Sequence, residues 1–125
     1  DELLKQYAQH DWVVLPSAGK DGWGVIVSEG LLNGLKAICS SKCGVSRVVV
    51  PGRNGVVFDW GAEGSCMNAI NAMLGNKGFA GTDEIIEWAQ QGLSAEAGAA
   101  YLLRVLDCVY NKKEKPGPPW EMAGK

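Results

Sequence analysis

The segment WVVLPSAGKDGWGVIVSEG, residues 12–30, decides the fold. It opens with four apolar residues, 12–15, that end at Pro16. A short continuous apolar run is typical of a strand buried on both faces, as in a parallel sheet. A glycine-rich loop follows, and the pattern from Val25 to Asn33 predicts a helix that Gly34 terminates. The segment therefore predicts a strand, a loop and a helix in succession.

The rest of the chain repeats this alternation of strands and helices. Predicted strands are 37–39 and 55–58, and predicted helices are 2–10, 66–74, 83–91 and 95–111. Residues 45–50 fit either a strand or a short helix. The order indicates an α/β fold with a partial doubly wound, Rossmann-like parallel sheet, followed by C-terminal helices. Since only about three strands are visible, we expect one flank of the sheet to be absent and its open edge to favour a homodimer.

The predicted elements divide the chain into a domain and a tail. We expect residues 1–111 to form a partial α/β domain that includes the C-terminal helices, and residues 112–125 to form a tail rich in proline and lysine that contains no helix. In the last predicted long helix, the apolar spacing predicts a buried stripe. Its members are Tyr101, Leu102, Val105, Leu106 and Val109.

Composition excludes several classes of protein. The chain has 125 residues, 46% of them hydrophobic, and a net charge of −2, which fits one domain and argues against a nucleic-acid partner. No apolar run approaches the roughly 20 residues of a membrane-spanning helix. The four cysteines lack C-x-x-C spacing, so we predict no metal site, no cofactor and reduced thiols in the cytoplasm. The chain begins without Met or a basic leader, so we expect no signal peptide and a piece of something longer.

The loop before the helix is the best candidate for a binding site. Ligands of open parallel sheets bind at the carboxyl ends of the strands, where this loop lies. The amides of Trp23, Gly24, Val25 and Ile26 come at the helix start, where backbone N–H groups lack intrahelical acceptors and favour anions. Glycine at 22 and 24 would let a ligand approach the backbone closely.

Two carboxylates, Asp21 and Glu29, flank this loop. Helical spacing places Glu29 on the side of Val25 and Leu32 and opposite the buried side, facing a cleft. A carboxylate accepts hydrogen bonds from vicinal hydroxyls such as those of ribose, so the pattern suggests a nucleotide-sugar site. The alternatives stay open at this point: a glycine-rich loop is often only a turn, and Glu29 could be a solvated helix residue.

The segment Asp21–Glu29, DGWGVIVSE, resembles the E-x7-E motif of retaining glycosyltransferases of the GT-B fold, group one, family four. Residues 14–17 before it, 30–40 after it and the turn 53–58 are similar to that family's flanking signatures. The resemblance covers residues 1 to about 75 and implies the back half of a GT-B C-terminal domain.

The resemblance also implies an activity, the transfer of a hexose from a nucleoside-diphosphate sugar with retention. Asp21, the residue to which we assign a catalytic role, would hold hydroxyls of the transferred sugar, and Gly22 to Val25 would contact sugar or diphosphate. Glu29 would bind the ribose hydroxyls, and Trp23 would lie against the sugar. The acceptor would be a glycan or a lipid-linked acceptor in polysaccharide biosynthesis, in the cytoplasm and at the inner face of the membrane.

Departures from the family pattern limit what this chain would do alone. The first acid is Asp21 where Glu is commoner, and the family's diphosphate-binding Arg and Lys precede Asp1. We therefore expect the chain to need the missing N-terminal part of the same protein and to be inactive by itself. Two alternatives remain: a non-catalytic α/β interaction module, and another GT-B-fold enzyme such as a nucleotide-sugar epimerase.

Overall fold

The computed structural model describes residues 2–75 and 78–123. The chain divides into two compact units, Asp1–Ile86 and Glu87–Lys125. The helices are α1 Glu2–Ala8, α2 Val25–Leu32, α3 Ser65–Gly75, α4 Thr82–Leu93, α5 Ala95–Tyr110 and α6 Pro119–Met122. The strands are β1 Trp12–Leu15, β2 Lys36–Ser40 and β3 Gly55–Phe58, with a 3-10 helix at Gly44–Val48.

The first unit is a parallel sheet of order β1-β2-β3 with a helix on each face. Val13 pairs with Ala37 in β2, and Ala37 pairs with Gly55 in β3. Helix α2 covers β1 and β2, with Val27 and Leu31 fully buried, whereas α3 covers β3 and β2. Because the strands are parallel, their carboxyl ends share one edge, from which the loops 16–24, 41–43 and 59–64 leave. The predicted α/β class with a parallel sheet is confirmed.

The prediction that β1 is buried on both faces is wrong. Val13 is buried because it packs on Gly30 of α2, where an added Cβ would lie 2.7 Å from the Val13 side chain. Val14 points to the other face and is 47% exposed, since α3 packs on β2 and β3. β1 is also an edge strand, and its pairing with a second copy stays a prediction.

Residues 45–50, which the sequence allowed as a strand or a short helix, form the end of the 3-10 helix Gly44–Val48 followed by an extended Val49. Asn54 stabilises this turn from within the interior, where it is 1% exposed. Its side-chain oxygen accepts from the Val50 amide at 2.7 Å, and its nitrogen donates to the Val48 carbonyl at 3.1 Å. A buried amide satisfied on both sides holds the chain in register between β2 and β3.

The second unit corrects two expectations. Helix α6 lies inside the tail that was predicted to contain no helix, since Pro119 occupies the first helical turn, where its missing N–H needs no partner. No residue of α5 is buried: the half-buried side carries Tyr101, Val105 and Cys108, whereas Leu102, Leu106 and Val109 are more than half exposed. Residues 124–125 of this tail lie outside the described residues.

Candidate functional site

The loop between β1 and α2 is fixed to the carboxyl edge of the sheet by backbone hydrogen bonds. The Gly44 amide donates to the Gly22 carbonyl at 3.0 Å, and the Val45 amide donates to the Trp23 carbonyl at 2.7 Å. Both donors belong to the 3-10 helix that follows β2. The loop is therefore held by the neighbouring strand's connection, which places residues 22 and 23 beside the start of α2.

Gly24 makes the turn into α2 and is required by packing as well as by conformation. Its φ is 91°, a left-handed value that side chains other than glycine rarely adopt. An added Cβ would lie 2.7 Å from Leu15 Cδ2 and 2.9 Å from Val45 Cγ1. The space beside Gly24 is thus filled by these two side chains. Glycine at 24 therefore serves packing and does not leave the room for a ligand that the sequence suggested. The predicted contact of Gly24 with the sugar donor stays a prediction.

Gly22 differs from Gly24 in its surroundings. Its φ is 61°, and an added Cβ would have no other atom within 4 Å. Gly22 is exposed, as is Asp21 before it. The open side of the loop therefore lies at residues 21 and 22, where a ligand can reach the backbone.

Trp23 is held against the start of α2. Its indole Nε1 donates to Ser28 Oγ at 2.8 Å, and the half-buried ring packs beside Gly44, where an added Cβ would lie 3.2 Å from the ring. The ring is fixed by contacts on two elements of the structure. Whether its exposed part touches a sugar stays a prediction.

Glu29 lies on the outer side of α2, as the helical spacing predicts. It is half-buried, and Val25 on the same side is exposed, whereas Val27 and Leu31 on the opposite side are buried. One oxygen of the carboxylate, Oε2, accepts a hydrogen bond from the Tyr7 hydroxyl at 3.0 Å. Glu29 is therefore directed neither into the apolar interior nor wholly into bulk water.

Tyr7 is the residue of this site that the sequence analysis missed. It ends a short helix, and only 5% of it is exposed. Burial, and then the hydrogen bond and negative charge of Glu29, raise the pKa of Tyr7 to about 12. The phenol therefore keeps its proton to a higher pH than an ordinary tyrosine. The only sequence signal was an aromatic residue in an apolar stripe, a pattern that indicates core packing.

Comparison with protein families identifies the family of the chain. A family model described as glycosyl transferases group 1 matches residues 1–107 of the chain. The chain belongs to the group 1 glycosyltransferases. No curated protein and no solved structure matches it.

In this glycosyltransferase, the predicted site residues fall into two groups. The first group lies against the 3-10 helix and consists of Gly22, Trp23 and Gly24. The second group is Glu29, which lies further along α2 and accepts a hydrogen bond from Tyr7. Within residues 2–75 and 78–123, no hydrogen bond or ion pair involves the Asp21 side chain. Asp21 is exposed and thus available to a ligand.

The chemistry open to this arrangement is the binding of anions and hydroxyls. Gly24, the N-cap residue of α2, has no side chain to bond the first amides of the helix, and the first turn contains no acidic residue. The positive end of the helix dipole there favours phosphate. In the described part of the chain, no three His, Cys, Asp or Glu side chains cluster so as to hold a metal ion. None of the described helices is long and apolar enough to cross a membrane.

Proposed function

We propose that this glycosyltransferase chain supplies part of the donor site for a nucleoside-diphosphate hexose, whose sugar is transferred with retention. The observation that carries the proposal is the half-buried Glu29 carboxylate on the outer side of α2, beyond a loop held at the carboxyl edge of the sheet. In open α/β sheets, ligands bind at this edge.

Each residue of the loop has a distinct role in the proposed complex. Glu29 accepts hydrogen bonds from the ribose hydroxyls, and the start of α2 lies beside the diphosphate. Asp21, exposed on the open side of the loop, holds hydroxyls of the transferred hexose, and Trp23 lies against that ring. Stabilising the charge that develops on the leaving diphosphate is the main catalytic requirement of such a transfer. The acceptor is a glycan or a lipid-linked sugar.

Ligand-observed saturation-transfer NMR tests the proposal on the 125-residue chain. The probes are uridine, guanosine, adenosine and cytidine diphosphates and their hexose conjugates. We expect at least one probe to bind, with saturation strongest at the ribose protons, because the ribose contacts Glu29.

Glu29→Gln keeps the shape of the side chain and removes its charge. Hydrogen bonds to a charged group contribute about 1.5–3 kcal/mol, so we expect affinity to fall by roughly 10- to 100-fold. Glu87→Ala, an exposed glutamate of α4, is the matched control and leaves binding unchanged. Equal binding by the wild-type chain and Glu29→Gln would refute the proposal. Failure of every probe to bind to a longer chain of the same protein would also refute it and would favour a non-catalytic interaction module.

A further inference from the structure

The contact between Tyr7 and Glu29 joins two helices that are separated in the sequence by the whole of β1. Tyr7 lies in the last turn of α1, and Glu29 lies in the second turn of α2. The hydroxyl donates to Oε2 at 3.0 Å, a distance within the usual range for such bonds. The Tyr7 ring is buried and packs beside a cavity of about 230 Å³ at the edge of β1. The donor is therefore anchored by its ring.

A glutamate that lacks such a partner is a poor binding group. Its side chain loses rotamer entropy when it is fixed. A ligand that must first order this side chain binds more weakly by that amount, and a contact made beforehand reduces the loss. The Tyr7 hydroxyl makes such a contact in the absence of ligand.

The hydrogen bond leaves capacity for a ligand on the same carboxylate. An ionised carboxylate has about four acceptor positions on its two oxygens. Tyr7 uses one position on Oε2, and among the residues that the structure describes no other side-chain donor bonds this carboxylate, which leaves Oε1 and one position of Oε2 for two further donors. A vicinal diol presents two donors, which matches these two positions in number.

We infer that Tyr7 is a positioning residue that holds the Glu29 carboxylate in the orientation that binds the two ribose hydroxyls of the donor. The inference rests on the proposed function and adds a residue to that site. Tyr7 does not touch the ligand, so its effect is confined to the part of the ligand that Glu29 recognises.

Tyr7→Phe tests the inference, because it removes the hydroxyl and keeps the buried ring. The measurement is the ratio of affinities for two probes: the nucleoside diphosphate that binds best in the panel above, and its analogue that lacks both ribose hydroxyls. We expect the wild-type chain to favour the hydroxylated probe and Tyr7→Phe to lose about tenfold of that preference, as one lost hydrogen-bonding interaction predicts. Affinity for the analogue stays the same, which a general loss of structure would not allow.

Two controls separate the outcomes. Tyr110→Phe alters a tyrosine that is 87% exposed on α5 and keeps the wild-type ratio. In a Glu29→Gln background, Tyr7→Phe produces no further loss, since its effect passes through that carboxylate. A wild-type chain that shows no preference for the ribose hydroxyls would refute the proposed function and the inference with it. A wild-type preference that Tyr7→Phe leaves intact would overturn the inference alone.

Discussion

Replacing Gly24 with alanine tests the packing of the site loop most directly. The left-handed backbone at φ 91° costs a residue with a Cβ roughly 1–2 kcal/mol. The new methyl group would also lie 2.7 Å from Leu15 Cδ2 and 2.9 Å from Val45 Cγ1, and overpacking of this kind costs about 1–3 kcal/mol. We therefore expect Gly24→Ala to lower the free energy of unfolding by about 2–5 kcal/mol.

Gly22→Ala is the matched control for Gly24→Ala. Gly22 also has a positive φ, 61°, but an added Cβ meets nothing within 4 Å, so only the conformational cost of about 1–2 kcal/mol applies. Urea unfolding followed by circular dichroism compares the two variants. With slopes of about 1–3 kcal/mol per M, the packing difference corresponds to a midpoint lower by roughly 1 M for Gly24→Ala. Equal midpoints for the two variants would refute the packing argument.

Two further predictions concern a buried amide and a buried phenol. Asn54→Ala leaves the Val50 amide and the Val48 carbonyl without their partner, which costs about 2–5 kcal/mol of unfolding free energy in urea titrations. Asn68 is exposed, so Asn68→Ala changes the free energy of unfolding by less than about 0.5 kcal/mol. Similar effects of the two substitutions would contradict the role of Asn54. The pKa of Tyr7 is raised from 10.0 to about 12, so the unfolded chain loses this proton first. The contribution of this shift to stability is full below pH 10 and falls by about 2–3 kcal/mol as pH rises to 12, so the wild-type chain loses that much more stability than Tyr7→Phe over this range; parallel pH profiles of the two chains would contradict it.

The elements of the fold followed from local patterns, with errors where burial depends on distant partners. Strand β1 and helix α2 lie where the apolar run and the helical spacing place them. The exposure of Val14 could not be predicted, because it depends on which strands α3 covers. The choice between strand and helix at 45–50 was also beyond local pattern, since the 3-10 helix is held by Asn54 and by the loop before α2.

The candidate site divides in the same way. The sequence alone determined that Glu29 lies on the opposite side of α2 from Val27 and Leu31, because a helix has a regular angle per residue. The tertiary structure decided that the side chains of Leu15 and Val45 fill the space beside Gly24, and that Tyr7 donates a hydrogen bond to Glu29. These contacts join residues 9 to 22 positions apart in the chain, and no short-range periodicity specifies them. They form because the parallel sheet brings its loops to one edge and because the fold brings Tyr7 of α1 within hydrogen-bond distance of Glu29 in α2.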